Sequence, residues 1–214
     1  FDWTKSYPCT VPLVASNQGQ SLSCTGHATA NMAKILYFIK TGILEDFSQR
    51  FIYSQAFLPG GGAYGRDALS ILANEGIPLN ADFPSDPEDE QHMEDKTGVD
   101  LVLPKAKLFD IYGDNAYALI TGGIDEVAAA IRDHKCVMIL AKGDDAGWQG
   151  ADVKPPAAAV PWGHAFTGIE PLMRNSRKAI DFLNSWTPGW GQNGHGFIDE
   201  LYFKSGNVMA AFTI

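Results

Sequence analysis

What this 214-residue chain lacks narrows the field first. No apolar run approaches the ~20 residues needed to cross a bilayer. There is no Asn-X-Ser/Thr acceptor, and no dinucleotide fingerprint in a βαβ setting, which in practice excludes a small-molecule oxidoreductase. Basic residues are scarce, 16 Lys and Arg against 25 Asp and Glu for a net charge of −9. That balance argues against nucleic acid as the main partner, because phosphate binding needs clustered cations. His92, His134 and His195 lack partners at ligand spacing, so no metal site or other cofactor is expected. Phe1-Asp2-Trp3-Thr4 lacks the basic-then-apolar pattern of a signal peptide, so the numbering is expected to start at a processed or cut end.

What is present is ordinary for a folded protein: 45% hydrophobic and 19% charged residues. Internal repeats and low-complexity tracts are absent. The acidity crowds into 82–100, where Asp86, Glu88, Asp89, Glu90, Glu94 and Asp95 read as a solvated surface loop, with a ligand-facing rim as the alternative. The first half has helical periodicity. Ala28, Met32, Ile35, Leu36 and Ile39 follow Cys24, with Gly42 as a stop; shorter helices are expected over 67–75 and 124–133. The second half has strand-like runs at 136–141, 164–170, 179–186 and 196–203, separated by Gly and Pro. A loop is expected over 142–163. Helices first and strands later predict an α+β protein rather than a parallel α/β sheet.

Three positions carry chemistry. Cys24 sits where loop becomes helix, where orphan N–H groups and the helix dipole favour thiolate, the nucleophilic form. Alone, such a cysteine is more often a small buried hydrophobe. His164 heads an apolar strand in Trp162-Gly163-His164-Ala165-Phe166. Asn184 opens a glycine-rich turn, Asn184-Ser185-Trp186-Thr187-Pro188-Gly189-Trp190-Gly191. A Cys–His pair needs a third group to fix the imidazole tautomer, and an Asn oxygen can do so.

Taken together, these segments resemble the papain/cathepsin family of cysteine peptidases, in a divergent form. In that family the His and Asn follow the nucleophile by roughly 130–150 residues; here they follow by 140 and 160. The strip Pro59-Gly60-Gly61-Gly62-Ala63-Tyr64 is similar to the one against which the family lays substrate backbone, and Phe1-Asp2-Trp3 is similar to a mature start after removal of a pro-segment.

The resemblance implies a papain-like fold across 1–214. A helical lobe over about 11–107 would hold Cys24, a β-barrel-like lobe over about 108–214 would hold His164 and Asn184, and the active site would lie in a cleft between them. It implies a cysteine endopeptidase hydrolysing proteins or peptides without a cofactor. Cys24 is the nucleophile, His164 the acid–base partner and Asn184 its orienter. Gln18 is an oxyanion donor, Gly62, Ala63, Trp162 and Ala165 line the substrate, and Trp186 shields the His164–Asn184 bond. Protein or peptide substrates and a pro-segment or protein inhibitor are the implied partners. Secretion, a periplasm or an acidic vesicle fits better than the cytosol. A non-catalytic peptide-binding member and a transpeptidase or ligase with the same triad are the alternatives.

The chain departs from the family beside Cys24. Ser21 and Leu22 stand where Cys and Gly are usual, Thr25 where an aromatic is usual, and His27 where an apolar residue is usual. Ser21 removes one half of the disulfide that staples this loop, and no cysteine near 60–62 supplies the other half. If Cys24 is catalytic, Cys9 and Cys136 are left as a disulfide or as two buried thiols. His27 is expected to pack rather than to touch the thiolate.

Overall fold

A computed structural model describes residues 1–110 and 117–214. The chain divides into two compact units, one of residues 17–117 with Ile214 and one of residues 1–16 with 118–213. The expected β-rich lobe, 108–214, includes residues 111–116, which lie outside the described residues.

The first unit is helical. Helix α1 spans Cys24–Thr41 and stops where Gly42, at φ +74°, turns its N–H back to the Phe38 carbonyl. Its first turns are buried on every side, from Thr25 to Ala33, as expected of a helix running through a core. A Cβ at Gly26 would stand 2.7 Å from the Gln49 carbonyl, so glycine is what lets the next helix approach. That helix, α2 (Gln49–Ala56), is capped by Ser48, whose hydroxyl accepts from the Phe51 N–H. Helices α3 (Gly65–Glu75), α4 (Glu90–Glu94) and α5 (Val99–Ala106) follow, and a 3-10 turn, Lys107–Phe109, ends the series. Phe47, Phe51, Ile52, Leu72, Ile77 and Phe83 form the core. The acidic run is a surface loop at Asp86, Glu88, Asp89 and Asp95, as expected, but it is interrupted by α4, which Asp89 caps by accepting from the His92 N–H.

The second unit is one antiparallel sheet with two helices. Its elements are β1 (Ala118–Leu119), α6 (Ile124–His134), β2 (Val137–Gly143), β3 (Trp162–Arg174), β4 (Arg177–Leu183), β5 (His195–Asp199), α7 (Glu200–Lys204) and β6 (Val208–Thr213). Strand order is β1-β6-β2-β3-β4-β5. The β3–β4 hairpin closes on Asn175 and Ser176, both at positive φ (50° and 62°), the geometry that matches strand twist. The buried face of α6, Ile124, Val127, Ala128 and Ile131, joins Ile139, Phe166, Ile180 and Phe182 of the sheet in a second core.

The strand expected over 196–203 is half right. It ends at Asp199, whose carboxylate accepts from the Leu201 and Tyr202 N–H groups and starts α7 instead. The α+β class holds. None of the three cysteines is in a disulfide: Cys136 is buried, and Cys9 and Cys24 are half-buried.

Candidate active site

In the helical unit, Cys24 is the first residue of α1, and its loop is firmly shaped. The Gln18 amide donates to the Ser21 carbonyl over 3.0 Å, and the Ser21 hydroxyl donates to the Gln18 carbonyl over 2.8 Å. Ser21 Oγ also lies 2.5 Å from Ser23 Oγ. Two hydroxyls and an amide thus knit the turn where the family has a cysteine. His27 is buried within α1, 2% exposed.

The glycine strip keeps its conformation because only glycine tolerates it cheaply: Gly60, Gly61 and Gly62 have φ of +100°, +93° and +74°. Gly62 donates its N–H to the Tyr53 hydroxyl over 3.0 Å and accepts from the Leu58 N–H over 2.9 Å. Its N–H is therefore committed inside the protein. Ala63 pairs with Phe57 in an isolated antiparallel bridge. A Cβ on Gly61 would lie 2.1 Å from the Leu22 Cδ1, so the Leu22 side chain rests directly on the strip.

In the sheet unit, His164 near the start of β3 meets Asn184 just beyond β4, with Nε2 2.7 Å from Asn184 Oδ1. Both are buried, at 5% and 0% exposure. The same oxygen accepts from the Ser185 N–H over 2.8 Å. A backbone N–H can only meet an acceptor, so this contact fixes the amide's orientation. The His164 Nε2 must then carry the proton, leaving the Nδ1 lone pair for other chemistry. Burial pushes the imidazole pKa down to about 4, and the Asn184 bond opposes this in part.

Aromatic rings wall in this pair. Trp186 lies 4.7 Å from the imidazole, between centroids, at 31°. Trp162 is 6.1 Å away and donates its indole N–H to Asp145 over 3.0 Å. Ala165 is buried; strand alternation turns it to the face opposite His164 and Phe166.

The sequence alone did not single out Trp148. Its ring sits 5.3–5.6 Å from Trp162, His164, Phe166, Phe182 and Trp186, and it is 2% exposed. A tryptophan inside a Gly- and Asp-rich stretch was the available signal. Asp144 also escaped notice: its carboxylate accepts from the Gly147, Ala157 and Ala158 N–H groups at 2.7–2.9 Å and gives the loop after β2 its shape.

No protein-family model matches the sequence, and no curated protein matches it by sequence. Solved structures do match. Xylellain, a cysteine protease from Xylella fastidiosa, aligns with 97% of this chain and 84% of its own, at TM-score 0.81 and 19% identity. Digestive procathepsin L 3 of Tenebrio molitor aligns with 99% of this chain and 68% of its own, at TM-score 0.74 and 16% identity. The bromelain protease of Ananas comosus, in complex with the E64 inhibitor, aligns over 95% and 93%, at TM-score 0.69 and 17% identity. The chain has the papain-like fold, in a sequence that has diverged far from all three of these cysteine proteases.

Proposed function

We propose that this chain is a papain-family cysteine endopeptidase, with Cys24 as nucleophile, His164 as acid and base, and Asn184 as orienter. The observation that carries the reading is the Asn184 oxygen shared between the Ser185 N–H and His164, because it presets the tautomer a cysteine peptidase needs.

The chemistry runs in two halves. His164 Nδ1 takes the Cys24 thiol proton as the sulfur forms a bond to the scissile carbonyl carbon, and the oxyanion takes hydrogen bonds from the Cys24 N–H and the Gln18 amide. Such donors are worth roughly 2.7–4 kcal/mol each in comparable sites. The C–N bond breaks as His164 protonates the leaving amine. Water then attacks the acyl-enzyme, His164 takes its proton, and the C–S bond breaks to return the thiol. A neutral, buried imidazole suits the second half; in the first, a thiolate partner would favour the imidazolium that burial disfavours. Trp186 keeps water from the Asn184 bond.

Backbone groups near Gly62 and Ala63 are the ones assigned to an extended peptide, and Trp162 and Ala165, which flank His164 in sequence, are assigned to the binding of its second side chain. A pro-segment or a protein inhibitor is the further partner this reading carries, and work outside the cytosol fits this chemistry. One observation favours the non-catalytic alternative: Leu22 lies across the strip at Gly61.

Alkylation separates the two readings. Burial raises the thiol pKa of both Cys9 and Cys136. Iodoacetamide at mildly acidic pH should therefore modify Cys24 first, and His164→Ala should abolish that preference, as read by mass spectrometry. Equal labelling of all three cysteines, or none, overturns the catalytic reading. Fluorogenic dipeptides then measure turnover and specificity.

A further inference from the structure

Glu90 is the first residue of α4, in the acidic run. Its two carboxylate oxygens serve two different segments: Oε2 accepts from the Leu22 N–H over 2.7 Å, and Oε1 accepts from the Tyr53 hydroxyl over 2.7 Å. Tyr53 in turn accepts from the Gly62 N–H over 3.0 Å. A continuous relay therefore runs from the loop presenting Cys24, through Glu90 and Tyr53, to the glycine strip. Neighbours reinforce it. Ser21 donates its N–H to the Pro87 carbonyl over 3.0 Å, and a Cβ on Gly19 would collide with Glu88 and Pro87.

Glu90 is itself held from both sides. Arg50 and Tyr53 lie one turn apart on α2; Arg50 donates to the Asp95 carbonyl over 2.7 and 2.9 Å at the far end of α4 while Tyr53 engages its first residue. Burial and the Glu90 bond together raise the pKa of the Tyr53 hydroxyl, which keeps it protonated and donating.

We propose that Glu90 is a positioning residue for Cys24: with Tyr53, it braces the nucleophile loop against the glycine strip, taking the place of the disulfide that this sequence lacks. Both segments that lost their cysteines are the ones the relay joins. A carboxylate can take both arms at once, one on each oxygen, whereas an amide cannot, because its nitrogen has no acceptor. The effect on Cys24 reactivity rests on the peptidase reading; the brace itself does not.

Backbone amide exchange by NMR and the rate of Cys24 alkylation by iodoacetamide test the proposal together. In Tyr53→Phe, the Gly62 amide should exchange about tenfold faster while Leu22 stays within about twofold of the parent, as expected for loss of one hydrogen bond. In Glu90→Ala, the Leu22 amide should exchange about tenfold or more faster and Cys24 alkylation should slow severalfold, with α3 amides unchanged; the isosteric Glu90→Gln keeps one acceptor oxygen and should lose one arm only, read as faster exchange at Leu22 or at Gly62 but not at both. A fall in melting temperature with uniformly faster exchange and an unchanged Cys24 rate would overturn the brace, leaving Glu90 a general stabiliser. Parent protein showing no preference for Cys24 defeats the nucleophile assignment instead, and the Leu22 and Gly62 exchange pattern still decides the brace.

Discussion

Trp148 donates its indole N–H to the Tyr202 hydroxyl over 3.0 Å, and the Tyr202 hydroxyl donates in turn to the Lys142 carbonyl. A loop tryptophan is thereby locked to a short helix and to the end of β2, with its ring against His164 and Trp186. Burial lifts the Tyr202 hydroxyl to about 12, so it stays protonated and in place.

Trp148→Phe should keep most of the ring packing but strip Tyr202 of a donor. The expected cost is about 1–3 kcal/mol, the usual range for a buried polar atom left unsatisfied. Trp148→Ala should cost about 3–5 kcal/mol. Scanning calorimetry checks both, and a Trp148→Phe cost near zero would mean the indole N–H contributes nothing.

Asn184→Ala removes the acceptor of both the His164 and Ser185 N–H groups. A lost hydrogen bond to a group that becomes charged costs about 1.5–3 kcal/mol, so kcat/KM should fall roughly 10- to 150-fold. Asn184→Asp keeps the acceptors and adds a negative charge that favours imidazolium. It should retain more activity and shift the basic limb of the pH profile upward, as read from initial rates across pH 5–9.

His164 gives stability a pH dependence whose sign follows from its environment. Its folded pKa of about 4 lies below the ordinary 6.5, so the unfolded chain binds more protons between those values. Stability from this residue is complete above about pH 6.5 and is lost as pH falls toward 4, by at most about 3 kcal/mol. Urea unfolding of Cys24→Ala against Cys24→Ala/His164→Gln, at several pH values, isolates it. The difference between the two should grow across that window, and a flat difference would contradict the burial argument.

Asp144→Ala should open the loop after β2 without unfolding the sheet. Three backbone N–H groups lose their acceptor, and those same donors hold the Asp144 carboxyl below its usual range. Limited digestion with a nonspecific protease should cut within 145–161 at least about tenfold faster than in the parent.

How much of this was legible in the sequence depended on the range of the force involved. Helices α1, α3 and α6 were readable because one apolar stripe repeats at helical spacing. Helix α2 was not, because Gln49, Arg50 and Ser54 are polar and yet buried. Pro104 inside α5 masked that helix too. Strand β6 was hidden by its alanines and is placed by pairing with β2 and β1. At the site, His164, Asn184 and Trp186 stood out through a local motif. Trp148 and Glu90 did not, because their hydrogen-bond partners lie 54 and 37 to 68 residues away.

The division of the chain sets an order of assembly. Residues 1–16 belong with the sheet unit: Trp3 donates to Asp125, 122 residues on, and the Cys9 N–H to Glu170, 161 residues on. Residues 1–16 are made before the helical unit, 17–117, and their sheet partners after it. The helical unit can collapse on local contacts, whereas the sheet cannot close until β6 has left the ribosome. Refolding should accordingly show the helical amides protected first, with the slow phase belonging to the discontinuous unit.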